Sequence, residues 1–209
     1  DYDIFKQIKY DNKLPKPLNY NFLDINVLWE IDPLRYPKLS DVILNIQNWD
    51  MATDSNSVGA ANYAVLYYTL INNFKGIKHK KIFDKIEIID LITHTKNHLL
   101  EHFGSVNIKL GDFQKLVRGN KEIGIFGLPD VITAMKGAKY KDGKIKITHG
   151  ESYISLVKFK DDKVEIETII SYGASDNPNS KHYNDQMDLY SKFKTKKMSL
   201  DKKEVYNKG

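Results

Sequence analysis

Three histidines recur at steps of four residues in one segment of the chain. His94, His98 and His102 would lie on the same face of an α-helix, a spacing that can offer two imidazoles to a metal ion. The segment lacks the glutamate of a metalloprotease helix, and Lys96 brings a cation close to the rings. We therefore expect a polar surface stripe, and metal binding is the alternative.

A histidine and a carboxylate form a second candidate pair. His149 and Glu151 stand at the start of a predicted strand, where the carboxylate could orient a histidine contributed by another segment. The alternative is that both satisfy backbone groups beside Gly150 or face water. Ser152 and Ser155 have no base at a recognisable spacing, so neither is predicted to be a nucleophile. No catalytic residue is certain from the sequence, no phosphate-binding pattern is present, and we expect no cofactor.

Composition narrows the functional classes. The 209 residues carry 32 basic and 27 acidic side chains, so the net charge of +5 is spread over the surface. The basic runs at 78–81 and 194–197 lack the interleaved aromatic residues that stack on bases, which argues against nucleic-acid binding and favours solvated helix ends or loops. Cysteine is absent, which excludes disulfides and thiolate chemistry within this sequence.

No membrane span or targeting signal is predicted. No apolar run approaches the roughly 20 residues that cross a bilayer, and the first residues have neither the basic flank nor the apolar stretch of a signal peptide. The sequence starts at Asp1 without an initiator methionine, which leads us to expect a processed chain or a fragment.

The predicted elements change character along the chain. Pro15, Pro17, Pro33 and Pro37 favour extended backbone in residues 1–39, which we interpret as a covering segment. Apolar residues at helical spacing then predict a short helix capped by Ser40 and running to Trp49, a buried helix over 57–74, and a helix over 82–103 that ends at Gly104. These three helices together predict a helical part over 40–104.

Residues 105–209 are predicted to be rich in strands. β-Branched residues favour strands over 144–148, 153–160 and 164–171, with a turn at 160–163 joining the last two as a hairpin. Apolar side chains on both faces of 153–159 predict a strand buried on both sides. A loop over 173–180 and a short helix near 182–193 follow, for which Ser180 is the predicted cap and Asp185 favours the positive first turn. The chain ends in a lysine-rich tail.

Two blocks in the last part of the chain resemble a known enzyme family. HGESY at 149–153, a hairpin, and YGASDNPNSKHYNDQ at 172–186 resemble the closing segment of penicillin and acyl-homoserine-lactone acylases. Upstream, LGDFQ at 110–114, VRG at 117–119 and GLPD at 127–130 resemble the preceding segment of the same family in the same order, and SVGA at 57–60 is a weaker match. The likeness covers about residues 40–205. Lys181 stands where family members often have proline.

The resemblance implies an α+β fold that forms part of an αββα sandwich, with a helical layer followed by antiparallel core strands. Members of this family are N-terminal-nucleophile hydrolases, in which self-cleavage exposes a serine whose α-amino group is the general base. Asp1 lacks the hydroxyl that this chemistry needs. The resemblance therefore implies that the nucleophile, the oxyanion-hole asparagine and an early histidine lie upstream of this segment.

The expected protein is the C-terminal part of the β chain of an amidohydrolase that cleaves N-acyl compounds such as penicillins or acyl-homoserine lactones. By itself this part should be inactive. Its expected partners are the remaining N-terminal portion of the acylase and a small N-acyl substrate, its expected location is the periplasm or outside the cell, and exposed apolar surface should allow self-association. The alternative is a noncatalytic binding or scaffolding module derived from the same fold.

Overall fold

The computed structural model describes residues 1–16, 18–20, 23–74, 76, 79–161 and 163–208. Three residues on which sequence predictions fell, Pro17, Lys78 and Asp162, lie outside these ranges. The helices are α1 (Tyr2–Lys9), α2 (Ser40–Gln47), α3 (Val58–Asn73), α4 (Lys85–Phe103), α5 (Leu110–Phe113), α6 (Met187–Tyr190) and α7 (Lys202–Lys208). Short 3-10 turns occupy Asn26–Glu30 and Pro33–Arg35.

The strands form three small sheets. Their bounds are β1 (Asn19–Tyr20), β2 (Leu23–Asp24), β3 (Lys81–Ile82), β4 (Gln114–Arg118), β5 (Lys121–Gly124), β6 (Met135–Lys139), β7 (Ile145–Gly150), β8 (Tyr153–Lys160), β9 (Lys163–Ile170) and β10 (Lys196–Met198). The sheet orders are β1-β2-β3, β5-β4-β7-β6 and β10-β9-β8. Pairing is antiparallel except between β2 and β3 and between β4 and β7. The fold is therefore mixed α+β, in agreement with the predicted class.

Helix α3 is the centre of the first core. Ser57 caps it by accepting a hydrogen bond from the backbone N–H of Ala60, and nearly every side chain in its first three turns is buried. An ideal Cβ on Gly59 would lie 2.4 Å from the Cβ of Trp49, so only glycine lets α3 approach the residues that follow α2. The buried helix predicted over 57–74 is confirmed.

Helix α4 starts three residues later than its apolar pattern predicted. The Asp84 side chain accepts from the N–H of Glu87 while the Glu87 side chain accepts from the N–H of Asp84, and this capping box fixes the first turn at Lys85. Gly104 ends the helix with φ of 69°, as predicted.

A second core joins the two larger sheets. Leu116, Met135 and Ile147 of the four-stranded sheet belong to the same buried cluster as Ile154 and Ile169 of the three-stranded sheet. Because β7 and β8 are separated by only two residues, this shared core holds the end of one sheet against the start of the next. The sequence block at 149–153 lies at that junction.

The prediction that β8 is buried on both faces is wrong. Ile154 and Leu156 are buried, but Tyr153, Val157 and Phe159 on the other face are 60%, 43% and 77% exposed. Apolar character on both faces indicates only that both can be covered, and these three side chains of the second face remain exposed.

Other local predictions also need correction. Ser40 does not cap α2, because its hydroxyl donates to the Pro37 carbonyl. The helix also ends at Gln47 rather than at Trp49. Helix α1 lies in a segment that was predicted to be extended, ahead of its first proline. The basic run at 194–197, predicted to be a helix end or loop, enters β10, and α7 follows in the lysine-rich tail.

Helix α1 is attached to the three-stranded sheet by polar contacts. Glu167 on β9 accepts hydrogen bonds from Lys6, from the Thr195 hydroxyl, and from the Tyr2 hydroxyl at 3.4 Å. Lys9 pairs with Glu151. The opposite side of α1 leaves Ile4, Phe5 and Ile8 exposed, and α1 contributes no fully buried side chain. Tyr2 of α1 also packs against the second core. Polar contacts and one partly buried ring therefore attach the helix.

Replacing Gly59 by alanine should destabilise the chain although alanine is the better helix former. Helix propensity favours Gly59→Ala by up to about 1 kcal/mol, but the added methyl group overlaps Trp49, and overpacking costs about 1–3 kcal/mol. We expect a lower urea midpoint for Gly59→Ala. Asn72→Ala, at an exposed position of the same helix, is the control and should change stability by less than about 0.5 kcal/mol. An unchanged or raised midpoint for Gly59→Ala would contradict the close packing.

Helix α1 should detach in acid. The hydrogen bonds from Lys6 and Thr195 hold the pKa of Glu167 below its usual value. A carboxyl whose folded pKa is lowered stabilises the fold above its unfolded pKa, and that contribution is lost as the pH falls through the folded pKa. NMR of the α1 amides should thus show a constant spectrum from neutral pH down to about 5 and release below about pH 4.

A variant tests the same contact at neutral pH. Glu167→Gln should increase amide hydrogen exchange in α1, because the ion pair with Lys6 is lost. Glu165→Gln changes the neighbouring carboxylate on the same sheet face, which is exposed and lies 3.8 Å from Lys158, and should leave α1 protected. Equal exchange rates in the two variants would show that α1 is held in another way.

Candidate functional site at the meeting of two sequence blocks

The two blocks that carry the family resemblance border one cavity. It has a volume of about 250 Å³, and residues 148–152 and 171–172 form its polar rim. Leu116, Met135 and Ile147 form an apolar floor, and Tyr190 closes one side. Residues separated by about twenty positions in the sequence are thus brought together by the antiparallel pairing of β8 with β9.

His149 and Glu151 both line this cavity, but their side chains do not form a pair. His149 is exposed, and its Nδ1 lies 2.9 Å from the Thr148 hydroxyl. Glu151 is half-buried and pairs instead with Lys9 of α1. Among the described residues, no hydrogen bond or ion pair joins the two. A role for Glu151 in orienting a histidine from another segment stays a prediction.

Backbone contacts fix the 149–152 segment. The Tyr190 hydroxyl donates to the Glu151 carbonyl at 2.9 Å, and burial raises the pKa of Tyr190, which keeps this hydroxyl protonated as the donor. Gly150 lies where a Cβ would be 2.6 Å from the Sδ of Met135, so the backbone can lie against the floor of the cavity. The rim is therefore held by α1 on one side and α6 on the other.

Arg118 holds the second block in place. Its guanidinium carbon lies 4.5 Å from the ring centre of Tyr183 and 5.2 Å from that of Tyr172. Its Nη2 donates to the Asp176 carboxylate at 2.9 Å. The cation thus lies over two aromatic rings and is bound to a carboxylate of the same loop.

Buried Gln186 closes the loop at its other end. Its backbone N–H donates to the Tyr172 carbonyl at 2.9 Å, and its side-chain oxygen accepts from the N–H of Ile170 at 3.2 Å. Gln186 therefore joins the last residue of β9 to the end of the 172–186 block. We did not predict Arg118, Gln186 or Tyr190 as site residues. The only sequence signal for Arg118 and Gln186 was their position inside the family-like blocks, since their partners are distant in sequence.

Two residues of this loop have roles that differ from the predicted ones. Ser180 does not cap a helix, because α6 begins only at Met187; its hydroxyl accepts from the N–H of His182. Asp185 binds Nδ1 of His182 at 2.8 Å rather than lying in a first helical turn. The loop is held by its own polar groups where a longer helix was expected.

The three helical histidines lie apart from this cavity. His94 and His102 are exposed, while His98 is half-buried and donates from Nε2 to the Gly143 carbonyl at 2.7 Å. Burial lowers the pKa of His98, which favours a neutral ring. Within the residues that the structure describes, no group of three or more His, Cys, Asp or Glu side chains is arranged to hold a metal ion. Of the three described histidines, His98 and His102 are in ring contact with each other, at 4.6 Å between centroids.

Comparison with known proteins identifies the family. The model of the penicillin amidase family matches residues 19–207. This chain belongs to the penicillin amidase family. It is 34% identical over 87 residues to the acyl-homoserine lactone acylase PvdQ of Pseudomonas syringae pv. syringae, a match that covers 40% of this chain and 11% of that protein.

Two further matches are to another PvdQ acylase and to a solved penicillin G acylase. The chain is 30% identical over 100 residues to PvdQ of Pseudomonas savastanoi pv. phaseolicola, covering 46% of this chain and 13% of the relative. A solved penicillin G acylase from Alcaligenes faecalis aligns at 11% identity and a TM-score of 0.35, covering 88% of this chain and 45% of that one. The matches to the two PvdQ proteins thus span about an eighth of those relatives' length. No helix within the described residues is long and apolar enough to cross a membrane.

Substituting lysine for Arg118 should loosen the 172–186 loop despite the retained charge. A lysine cannot stack as a plane between Tyr172 and Tyr183, and the lost interactions are worth about 1–2 kcal/mol. We expect faster amide hydrogen exchange across the loop in Arg118→Lys, with little change in β8. Lys121→Ala removes another cation that is bound to this region, at Asp188 and at the Asn184 carbonyl, and should leave the exchange of residues 172–183 unchanged because both contacts lie beyond them. Full protection of the loop in Arg118→Lys would contradict the stacking role.

Proposed function

We propose that these residues form the C-terminal part of an N-terminal-nucleophile amidohydrolase that cleaves the amide bond of N-acyl compounds. The observation that carries the proposal is the family match over residues 19–207. The acyl-homoserine lactone acylases among the relatives point to acylated amines as the substrate class. Penicillins and acyl-homoserine lactones both contain such a bond, and the serine chemistry of the proposal calls for no cofactor.

The reacting hydroxyl of the proposed enzyme comes from outside these residues. Ser152 lines the cavity, but none of its described contacts joins its hydroxyl to a base. Ser155 lies on the exposed face of β8 and likewise has no such contact among the described residues. A serine needs a group that removes its proton before it can attack an amide. We therefore propose that this part braces the active centre and is inactive alone.

The exposed face of the three-stranded sheet suits a role as the attachment surface for the rest of the enzyme. Tyr153, Val157 and Phe159 on β8 point to the same side as Val164 on β9 and Met198 on β10, and all five are exposed. Sheets normally bury an apolar face against another layer. In an αββα arrangement, the remaining N-terminal portion would supply such a layer. Without that layer, the exposed apolar face would favour self-association of the chain. A periplasmic or secreted location remains a prediction from the family.

Amine release from an N-acyl substrate tests the proposal directly. The whole protein should hydrolyse an acyl-homoserine lactone or a penicillin, and the purified 209-residue chain should not. Mixing or co-expressing the chain with the remaining portion should restore turnover. Turnover by the isolated chain would overturn the proposed location of the nucleophile, and an inactive whole protein would favour the noncatalytic module.

A matched pair of variants tests the attachment surface. Phe159→Glu places a carboxylate on the apolar face, whereas Lys160→Glu places one on the opposite face of the same strand. In co-expression, Phe159→Glu should lose both co-purification with the remaining portion and turnover, because a desolvated charge is costly. Lys160→Glu should retain both. Normal assembly of Phe159→Glu would show that another surface is used.

A further inference from the structure

A second cavity lies between the helices and the β6–β7 hairpin. It has a volume of about 360 Å³ and is bordered by α3, by the last turns of α4 and by residues 139–145. Small-molecule sites usually have volumes of about 300–1,000 Å³. The cavity shares no lining residue with the cavity beside residues 148–152.

Aromatic rings form much of its wall. The five that line it are Tyr68, His98, His102, Phe113 and Tyr140. His98 lies between two of the others, with ring centroids 4.6 Å from His102 and 6.0 Å from Phe113. Val65 and Ile145 add aliphatic surface beside them. A flat apolar group would find both faces and edges of rings to pack against.

The charges at this cavity have one sign. Among the described residues, Lys139 and Lys144 line it, and no aspartate or glutamate does. Lys144 lies 3.4 Å from Glu122, which also pairs with Lys141 at 3.1 Å, so one carboxylate outside the cavity is shared by two lysines. In the described part of the chain, no carboxylate forms an ion pair with Lys139. The cavity therefore presents ammonium groups that an anion can bind.

The hairpin is fixed against α4 before any ligand arrives. Gly143 has φ of 71°, and a Cβ there would lie 2.2 Å from the Cγ of His102. The His98 ring donates from Nε2 to the Gly143 carbonyl at 2.7 Å. Burial lowers the pKa of His98, which favours the neutral ring. These contacts set the distance between the rings of α4 and the lysines of the hairpin, and a preformed site loses less entropy on binding.

We propose that this cavity binds a small aromatic carboxylate, with its ring against His102 and Phe113 and its carboxylate at Lys139 and Lys144. The aromatic wall favours such a ligand over inorganic phosphate, which would leave the ring surfaces unused. The cationic rim favours it over a neutral amide of the same shape. This proposal depends on the cavity alone and not on the amidase activity.

Benzoate is the probe, and benzamide is its neutral counterpart of almost equal shape. In two-dimensional NMR of the isotope-labelled 209-residue chain, benzoate should cause saturable shifts at residues 98–102 and 139–145. Benzamide should bind at least about fivefold more weakly, as expected for loss of a charge-assisted contact. Inorganic phosphate should also bind more weakly than benzoate. Equal shifts with benzamide, or shifts confined to residues 148–152, would overturn the proposal.

A pair of lysine variants provides the second test. Lys139→Ala removes the unpaired ammonium group and should weaken benzoate binding by about fivefold or more. Lys136→Ala removes the same charge from an exposed position of the same strand that does not line the cavity, and should leave the affinity unchanged. Equal affinities in both variants would overturn the proposal. The comparison of benzoate with benzamide decides the matter even if a variant fails to fold.

Discussion

Arg118 lies between the rings of Tyr172 and Tyr183 and donates to Asp176, so one side chain from β4 binds three residues of the 172–186 loop. The loop contains little regular structure of its own. Without this contact, the loop would still be held by its local turns, by Gln186 and by the hydrogen bond from Lys121 to the Asn184 carbonyl, but Tyr172 at the polar rim of the cavity would lose its cation partner. The cation and the two rings therefore tie the second sequence block to β4.

The junction between the two larger sheets places the first sequence block beside the second. The shared core of Leu116, Ile147 and Ile154 keeps the end of β7 next to the start of β8. The antiparallel register of β8 and β9 then returns the chain to the same place, with Tyr153 opposite Ile170. Hydrophobic packing thus places the two blocks, and polar contacts from α1 and α6 set the positions of individual side chains.

The same packing leaves two apolar surfaces exposed. A three-stranded sheet buries one face against the second core and leaves Val157 and Phe159 exposed on the other. Helix α1 likewise uses its charged side for attachment and exposes Ile4, Phe5 and Ile8. Both surfaces are apolar and exposed, and the matches to the two PvdQ proteins span only 11% and 13% of those relatives.

Sequence patterns predicted the elements whose determinants are local. The helical repeat and the Ser57 cap predicted α3, and Gly104 predicted the end of α4. The start of α4 was misplaced because a reciprocal contact between Asp84 and Glu87 overrode the apolar repeat. The burial of β8 could not be predicted, because apolar character does not reveal which face another layer covers. His149 and Glu151 were selected from their position at the start of a predicted strand, and both line the cavity. Arg118 could not be selected in this way, because it acts through residues more than fifty positions away.

Covalent labelling of the proposed full-length amidohydrolase with a serine-directed sulfonyl fluoride tests the proposed location of the nucleophile most directly. After proteolysis, mass spectrometry would show which hydroxyl carries the adduct. We predict the adduct on a serine that lies outside this 209-residue sequence, together with loss of amide turnover. An adduct on Ser152, or on any other hydroxyl of this chain, with the same loss of turnover would contradict the central claim that these residues brace an active centre whose nucleophile lies elsewhere.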